Sequence, residues 1–248
     1  YIGDILYAFI SDTHLCDNNE EKVALFIATI RLFARKQATV YLLGDLFDFW
    51  PGDNDLKNSQ IKIVDVLRKA VQDGAKIFLI TGNRDFLIGK KFFRTTGVQT
   101  LPELSTVKIE GENILLTHGD LLCTKDISYQ VFRRIIRNPI IKWMFLSLPL
   151  VMREALVNQT KKQTKKSVTK KPTEIMDVEQ KTVIDLMLKY NVTNIIHGHT
   201  HQPGIHTFEQ DGKSFSRTVL GDWESSNIIL VISNKQKKLV EVQNLLAE

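Results

Sequence analysis

Cysteine is scarce in this chain: Cys16 and Cys123 are the only two in 248 residues, too few for a disulfide framework and suited to a reducing compartment. No uninterrupted apolar run reaches the roughly 18 residues a spanning helix needs, so no transmembrane anchor is expected. The first residues, Tyr1-Ile2-Gly3-Asp4, lack the basic stretch and cleavage pattern of a secretory signal. No internal repeat is found. With 43% hydrophobic and 25% charged residues, disordered and fibrous classes are excluded. The length fits one large α/β domain or two small ones, with ample material for a core.

The formal net charge is +5, which on average composition points to an anionic partner such as nucleic acid or a membrane surface. That charge is unevenly placed. Between Lys125 and Lys171 twelve Lys and Arg residues face only Asp126 and Glu154, a local net of +10, so the rest of the chain carries −5. The same segment is rich in Ile, Phe, Leu, Met and Trp143. The expectation is a mildly acidic core, 1–124 and 172–248, carrying a basic, apolar-rich helical cap over 125–171.

Along the first 120 residues strand and helix patterns alternate. Apolar runs at 6–11, 40–43 and 76–81 have strand length, and helical spacing covers 20–36 and 61–71 (Ile61, Val64, Leu67, Val71). Such alternation implies βαβ units and a largely parallel sheet. Two short strands flank the turn Glu110-Gly111-Glu112-Asn113. Residues 126–157 read as helical with breaks at Pro139 and Pro149, 161–171 as a solvated loop, 177–190 as a helix and 193–196 as a strand. The tail, 204–242, reads as hairpin, with a turn at Asp211-Gly212.

The chemistry lies at the strand ends. They carry Asp12-Thr13-His14, Gly44-Asp45, Gly82-Asn83-Arg84-Asp85, His118-Gly119-Asp120 and His197-Gly198-His199-Thr200-His201. In open α/β sheets the carboxyl ends of strands are where ligands bind. Asp12, His14, Asp45, Asn83, His118, His199 and His201 offer oxygen and imidazole donors suited to Mn²⁺, Fe²⁺ or Zn²⁺, without a thiolate. In Asp-x-His and His-x-His an extended backbone turns i and i+2 to the same side, so each pair can converge on one ion. Seven donors exceed what one ion with open positions needs; two ions bridged by Asp45 is the economical reading. Asp48 and Asp120 read as supporting residues, His197 as a residue that orients a neighbour, and His206 as a surface residue.

This ordered set resembles the calcineurin-like metallophosphoesterase superfamily. The resemblance implies a four-layer αββα sandwich around a dinuclear centre. Asp12, His14, Asp45 and His201 would hold one ion, and Asp45, Asn83, His118 and His199 the other. The stretches Gly44-Asp45-Leu46-Phe47-Asp48-Phe49-Trp50, Gly82-Asn83-Arg84-Asp85-Phe86-Leu87, His118-Gly119-Asp120 with Asp126, Tyr129, Phe132 and Arg133, and Glu174-Ile175-Met176-Asp177-Val178 are similar to the UDP-2,3-diacylglucosamine pyrophosphohydrolase family. That family makes the lipid A precursor lipid X, uses Mn²⁺, and sits peripherally on the cytoplasmic face of the inner membrane. The resemblance implies catalytic roles for Asn83, Arg84, His118 and His199, and substrate contacts from Asn83, Arg84, Asp126, Tyr129, Thr164, Lys171 and His199. Thr164 stands where that family leads one to expect serine, and Val168 where a polar residue is expected.

Two ions a few Å apart can clamp a phosphoryl group and acidify a shared water, whose hydroxide would attack in line at the α-phosphorus. Arg84 offers a fork for phosphate oxygens but no proton near pH 7, which favours a leaving group that departs as a stable anion, such as a phosphate monoester. The cap could take two acyl chains and rest on anionic headgroups. The alternatives are a nuclease or phosphodiesterase of the same superfamily and a metal-stabilised scaffold. Aromatics interleaved with the Lys run would support nucleic-acid stacking, and 158–172 contains none; a scaffold is disfavoured because all seven donors are present. A monomer without nucleic-acid partner is expected.

Overall fold

The structure, a computed structural model, describes residues 6–168 and 177–247. Its first sheet has the order β11-β10-β1-β2-β3-β4. Strands β1 (Tyr7–Ile10), β2 (Thr39–Leu43), β3 (Lys76–Ile80) and β4 (Gln99–Thr100) are parallel; β10 (Ile228–Ser233) and β11 (Gln236–Glu241) add an antiparallel hairpin beside β1. The second sheet, β5-β6-β7-β9-β8, is built from β5 (Ser105–Ile109), β6 (Glu112–Leu116), β7 (Asn194–His197), β8 (Gly204–Gln210) and β9 (Lys213–Val219).

Period-two alternation sorts each strand's side chains into two layers. Ala8, Ile10, Val40, Leu42, Ile77 and Leu79 face helices α1 (Glu20–Arg35), α2 (Asn58–Gln72) and α3 (Lys90–Thr96). Phe9, Tyr41, Leu43 and Ile80 point the other way and meet Ile114, Leu116 and Ile196 of the second sheet. On that sheet's far face Leu115 and Ile195 pack on Val183 and Met187 of the helix Gln180–Lys189. The result is helix, sheet, sheet, helix. Phe9, Tyr41 and Phe78, in register on β1, β2 and β3, stack at 5.0 and 5.1 Å between the sheets. Each large apolar side chain buried this way stabilises the sandwich by roughly 1.5–3 kcal/mol.

Helix α1 starts where Asn19 accepts from Lys22 N (3.0 Å), with Glu20 and Glu21 in its first turn and Arg35 in its last, both favourable to the helix dipole. The segment after residue 126 forms α4 (Ile127–Ile136), α5 (Pro139–Leu146) and α6 (Leu150–Val168). The prolines act as expected: Pro139 opens α5 behind its Asn138 cap, and Pro149 precedes α6.

One expectation is corrected and two are extended. Residues 161–168 are not loop but the end of α6: the run contains neither Gly nor Pro, and Lys and Gln are good helix formers. The tail is hairpin as expected, turning at Asp211-Gly212 between β8 and β9, and it comprises two hairpins, the second being β10 and β11. Its first half joins the second sheet and its second half the first, and a short helix, Val242–Ala247, closes the chain. Helix α3 and strand β4 fill the stretch between β3 and β5, where the sequence pattern marks no element.

No described helix is long and apolar enough to cross a membrane. Among the described residues, most of the large exposed apolar side chains fall between Ile127 and Leu156, including Ile127, Val131, Ile140, Trp143 and Val151. Neither α4 nor α5 buries a residue.

Candidate metal centre

The two sheets bring the ends of β1, β2, β3, β6 and β7 to one edge of the sandwich. Backbone bonds fasten the loops there: Asp12 N–H donates to Gly44 O (3.1 Å), His14 N–H to Asp45 O (2.9 Å) and Gly198 N–H to His118 O (2.9 Å). His199 N–H reaches across the sheets to Asp12 Oδ2 at 2.8 Å. Asp12, His14, Asp45, His199 and His201 all have positive φ, between 45° and 71°, a left-handed conformation that non-glycine residues adopt at a cost. Asp-x-His and His-x-His are therefore not the extended pairs that the i and i+2 reading assumes. Two glycines make room. A Cβ on Gly82 would lie 2.1 Å from Asp45 Oδ1, and one on Gly198 2.2 Å from Asp12 Oδ2, so only glycine lets these carboxylates sit against the neighbouring backbone.

Five of the seven expected donors fall into two groups, which share Asp12 and not the expected bridge Asp45; Asn83 and His199 lie beside His118. Asp12, His14 and His201 form one group and Asp12, Asp45 and His118 another, each with ligand atoms within 4.8 Å of one another. His14 lies between two carboxylates, Nε2 4.0 Å from Asp12 Oδ1 and Nδ1 3.8 Å from Asp45 Oδ2. His118 Nε2 is 3.7 Å from Asp45 Oδ1 and 3.0 Å from Asn83 Oδ1. The His199 ring meets that of His118 edge to face at 5.1 Å.

Asp12 Oδ1 and both ring nitrogens of His14 are buried without a hydrogen-bond partner. Orphaned buried polar atoms are costly, and here they are all metal-ligand types aimed at a common space. The electrostatics agree. Burial is the largest influence pushing Asp45 upward, reinforced by Asp85 and Asp12. Burial opposes charge on His118, but Asp45, Asp12 and Asp120 outweigh it and raise its pKa. Burial and the Arg84 charge take His14 down to about 3, and burial with His118 takes His199 down to about 4. Burial would raise Asp12, yet the His201 imidazole 3.3 Å from Oδ1 and the neighbouring rings of His118 and His14 keep it below the usual carboxylate range. Divalent cations would let Asp45 ionise and His118 shed its proton, resolving this conflict. The residues present fit a pair of divalent ions.

A supporting shell fixes the rings. The Leu43 carbonyl can only accept, so His118 carries a proton on Nδ1 (2.9 Å) and turns Nε2 inward. His201 Nδ1 lies 3.0 Å from Asp222 Oδ2, with Nε2 3.3 Å from Asp12 Oδ1. Sequence reasoning misses Asp222, although Gly221-Asp222 after β9 repeats the strand-end signal seen at Gly44-Asp45. His197 is fully buried, its Nδ1 bonded to Gly198 O at 2.8 Å, and belongs to none of the ligand groups. His206 is on β8, at the surface.

Arg84 is not paired with Asp85, as adjacency would allow. Asp85 is buried and accepts the N–H groups of Leu46 and Gly82 (both 2.7 Å), which braces the β2 and β3 loops. Arg84 instead reaches Asp48 Oδ1 at 2.5 Å and lies 3.5 Å from Asp45 Oδ2. Asp48 also holds Lys161 of α6 at 2.5 Å.

From α4, Tyr129 stacks on His199 at 6.0 Å and donates to Asp120 Oδ2 (3.1 Å), while Asp126 caps the helix by accepting from Tyr129 N (3.1 Å). Thr164 falls on α6, at a position whose side chain lies outside the described residues, and Lys171 lies outside them altogether. Several basic residues of the segment face inward: Lys142 donates to Phe86 O (2.6 Å), and Arg153 to Pro51 O and to Asp55 (2.7 Å).

Residues 5–203 match the calcineurin-like phosphoesterase family. A UDP-2,3-diacylglucosamine hydrolase of Vibrio cholerae serotype O1 (strain ATCC 39541) is 41% identical over 226 residues, 91% of this chain and 92% of that protein. One of Aeromonas salmonicida (strain A449) is 39% identical over 231 residues, 93% and 91% of the two chains. Among solved structures the E. coli phosphoesterase Yfce aligns with a TM-score of 0.49 and 16% identity, over 97% of this chain and 94% of that one.

Proposed function

This chain belongs to the calcineurin-like phosphoesterase family, and we propose that within it the protein hydrolyses the pyrophosphate bond of UDP-2,3-diacylglucosamine, giving UMP and 2,3-diacylglucosamine 1-phosphate for lipid A biosynthesis. The observation that carries this reading is the juxtaposition of two carboxylate and imidazole groups with Arg84, beside helices whose apolar side chains face outward.

Asp12, His14, Asp45 and His201 would hold one Mn²⁺, and Asp45, Asn83, His118 and His199 a second. When bound, such a pair supplies Lewis-acid stabilisation of the phosphoryl oxygens and an acidified water. The chain's own residues do the rest. His118, fixed by Leu43 O, directs Nε2 inward. Asn83 can offer its carbonyl to the centre and its NH₂ to a phosphate oxygen. Arg84 grips phosphate oxygens with two parallel N–H donors and, always charged, gives up no proton. The leaving group must then depart unprotonated, as a phosphate monoester does and an alkoxide does not. Asp48 and Asp45 hold the guanidinium near the reacting phosphorus.

Residues 125–171 form the cap of this proposal. Its outward apolar side chains take the acyl chains, with Asp126, Tyr129, Thr164 and Lys171 contributing substrate contacts. In this reading the protein works as a monomer on the cytoplasmic side of the inner membrane, and the outward apolar side chains support contact with lipid.

The test is purified protein with Mn²⁺ and UDP-2,3-diacylglucosamine in ¹⁸O-water. Label in UMP is expected and identifies attack at the α-phosphorus; label in the lipid phosphate would place the attack on the other phosphorus. Absence of turnover, together with cleavage of single-stranded nucleic acid, would overturn the reading in favour of a nuclease.

A further inference from the structure

Helix α4 is amphipathic in reverse. Ile127, Val131 and Ile135, four residues apart, form an apolar stripe that is between 51% and 73% exposed. Tyr129, Arg133 and Arg137 have the same spacing on the opposite side, and that polar stripe faces the protein. All three donate to one oxygen of the fully buried Asp120: Tyr129 Oη at 3.1 Å, Arg133 Nε at 2.7 Å and Arg137 Nη2 at 3.4 Å. Glu103 takes a second contact from each arginine, at 3.2 Å for Arg137 Nη1. Because α4 buries no residue, this polar seam is what holds it to the core.

Arg137 does something its two companions do not. Its Nη2 also donates to the carbonyl of Gly82 at 2.9 Å. That oxygen belongs to the peptide joining Gly82 to Asn83, and a peptide is planar, so fixing the oxygen fixes the direction in which the chain enters Asn83 and Arg84. The N–H of Gly82 is held on its other side by Asp85 at 2.7 Å.

We propose that Arg137 is a positioning residue: it aims Asn83 and Arg84 through the Gly82 carbonyl, so that their alignment depends on where α4 sits. The proposal rests on the hydrolase reading above. A guanidinium is suited to the task because its fork spans Gly82 O, Asp120 and Glu103 at once, which a lysine's point charge cannot do. The outward apolar stripe and the reacting centre thereby become two ends of one body, and whatever engages the stripe is felt at Asn83.

The experiment compares Arg137→Ala, Arg137→Lys and Arg133→Ala. Both Arg137 variants are expected to lose roughly 10²-fold in kcat with KM little changed, the signature of lost alignment. Arg133→Ala removes a charge from the same seam without touching Gly82 and should lose distinctly less. Guanidinium ion added to Arg137→Ala should restore part of kcat. An unchanged kcat, a rise in KM alone, or an equal loss in Arg133→Ala would overturn the proposal. The ¹³C carbonyl resonance of Gly82 in the substrate-free protein is expected to move in Arg137→Ala and not in Arg133→Ala; no movement in the former also overturns it. Wild-type protein that releases no UMP would instead overturn the hydrolase reading, leaving the resonance to decide the contact.

Discussion

His201 is oriented by Asp222: the imidazole Nδ1 and carboxylate Oδ2 are 3.0 Å apart, which turns Nε2 toward Asp12. The two residues come from different strand ends of the second sheet, and the carboxylate makes the ring a better ligand by fixing its tautomer. Asp222→Ala is expected to weaken Mn²⁺ binding about 10- to 100-fold, the usual effect of losing such a partner. Titration followed by electron paramagnetic resonance of unbound Mn²⁺ checks this. Unaltered affinity would mean that Asp222 serves only its own loop, through its bonds to Glu224 N and Ser225 N.

Gly82→Ala tests the closeness of Asp45 to the β3 loop. The new methyl would meet Asp45 Oδ1 at 2.1 Å, and the backbone nitrogen of Asp45 at 2.4 Å. One group must move. The expected outcome is a folded protein destabilised by about 1–3 kcal/mol and lowered in kcat by roughly 10²-fold, as a displacement near 1 Å can produce. Thermal melts and steady-state kinetics report the two effects separately.

Chelation should cost stability as well as activity. In the proposed centre Asp12 and His14 would bind metal only in the folded chain, so mass action would raise stability by about 2.7 kcal/mol at a hundred times Kd. A chelator-treated sample is expected to melt lower and to recover with added Mn²⁺, in proportion to the logarithm of its concentration. A Tm indifferent to Mn²⁺ would contradict the placement of these ligands.

The chain's three tryptophans give a built-in probe of the cap. Trp50 and Trp223 are buried, whereas Trp143 on α5 is 69% exposed. Vesicles containing phosphatidylglycerol should shift its fluorescence to the blue, less so at high salt because surface attraction is screened. The Trp143→Phe variant should lose the shift. Emission that stays constant at every salt concentration would speak against a membrane-facing cap.

The strand and helix order and the strand-end cluster of Asp and His are legible in the sequence because both depend on local pattern, whereas the four-layer sandwich follows from the family resemblance. Short apolar runs such as those around Phe9 and Tyr41 mark strands, and Gly-Asp or His-x-His at a strand end marks a candidate ligand loop. The features that escape such reading depend on distance. Which sheet a hairpin joins is decided by its partners, so the tail's division between β9 and β10 has no local signature. Asp222 and Arg137 act on His201 and Gly82 from elements far away in the chain. The Lys161 run looks like solvated loop by composition, yet Lys161 is tied to Asp48 and the helix continues to Val168. Five of the twelve basic residues of 125–171, Arg133, Arg137, Lys142, Arg153 and Lys161, make contacts with the core, which composition does not show.

The left-handed backbone at Asp12, His14, Asp45, His199 and His201 sets stability and activity against each other. Each such residue costs on the order of 1–2 kcal/mol relative to a comfortable conformation. Glycine or asparagine at these five positions would relax the chain while removing or weakening the donors. A library selected only for heat resistance would therefore drift toward the catalytic loops first, enriching Gly and Asn at its most damaging sites. Thermal engineering of this protein is better confined to α1, α2 and the outer strands, where relaxed backbone and working chemistry do not compete.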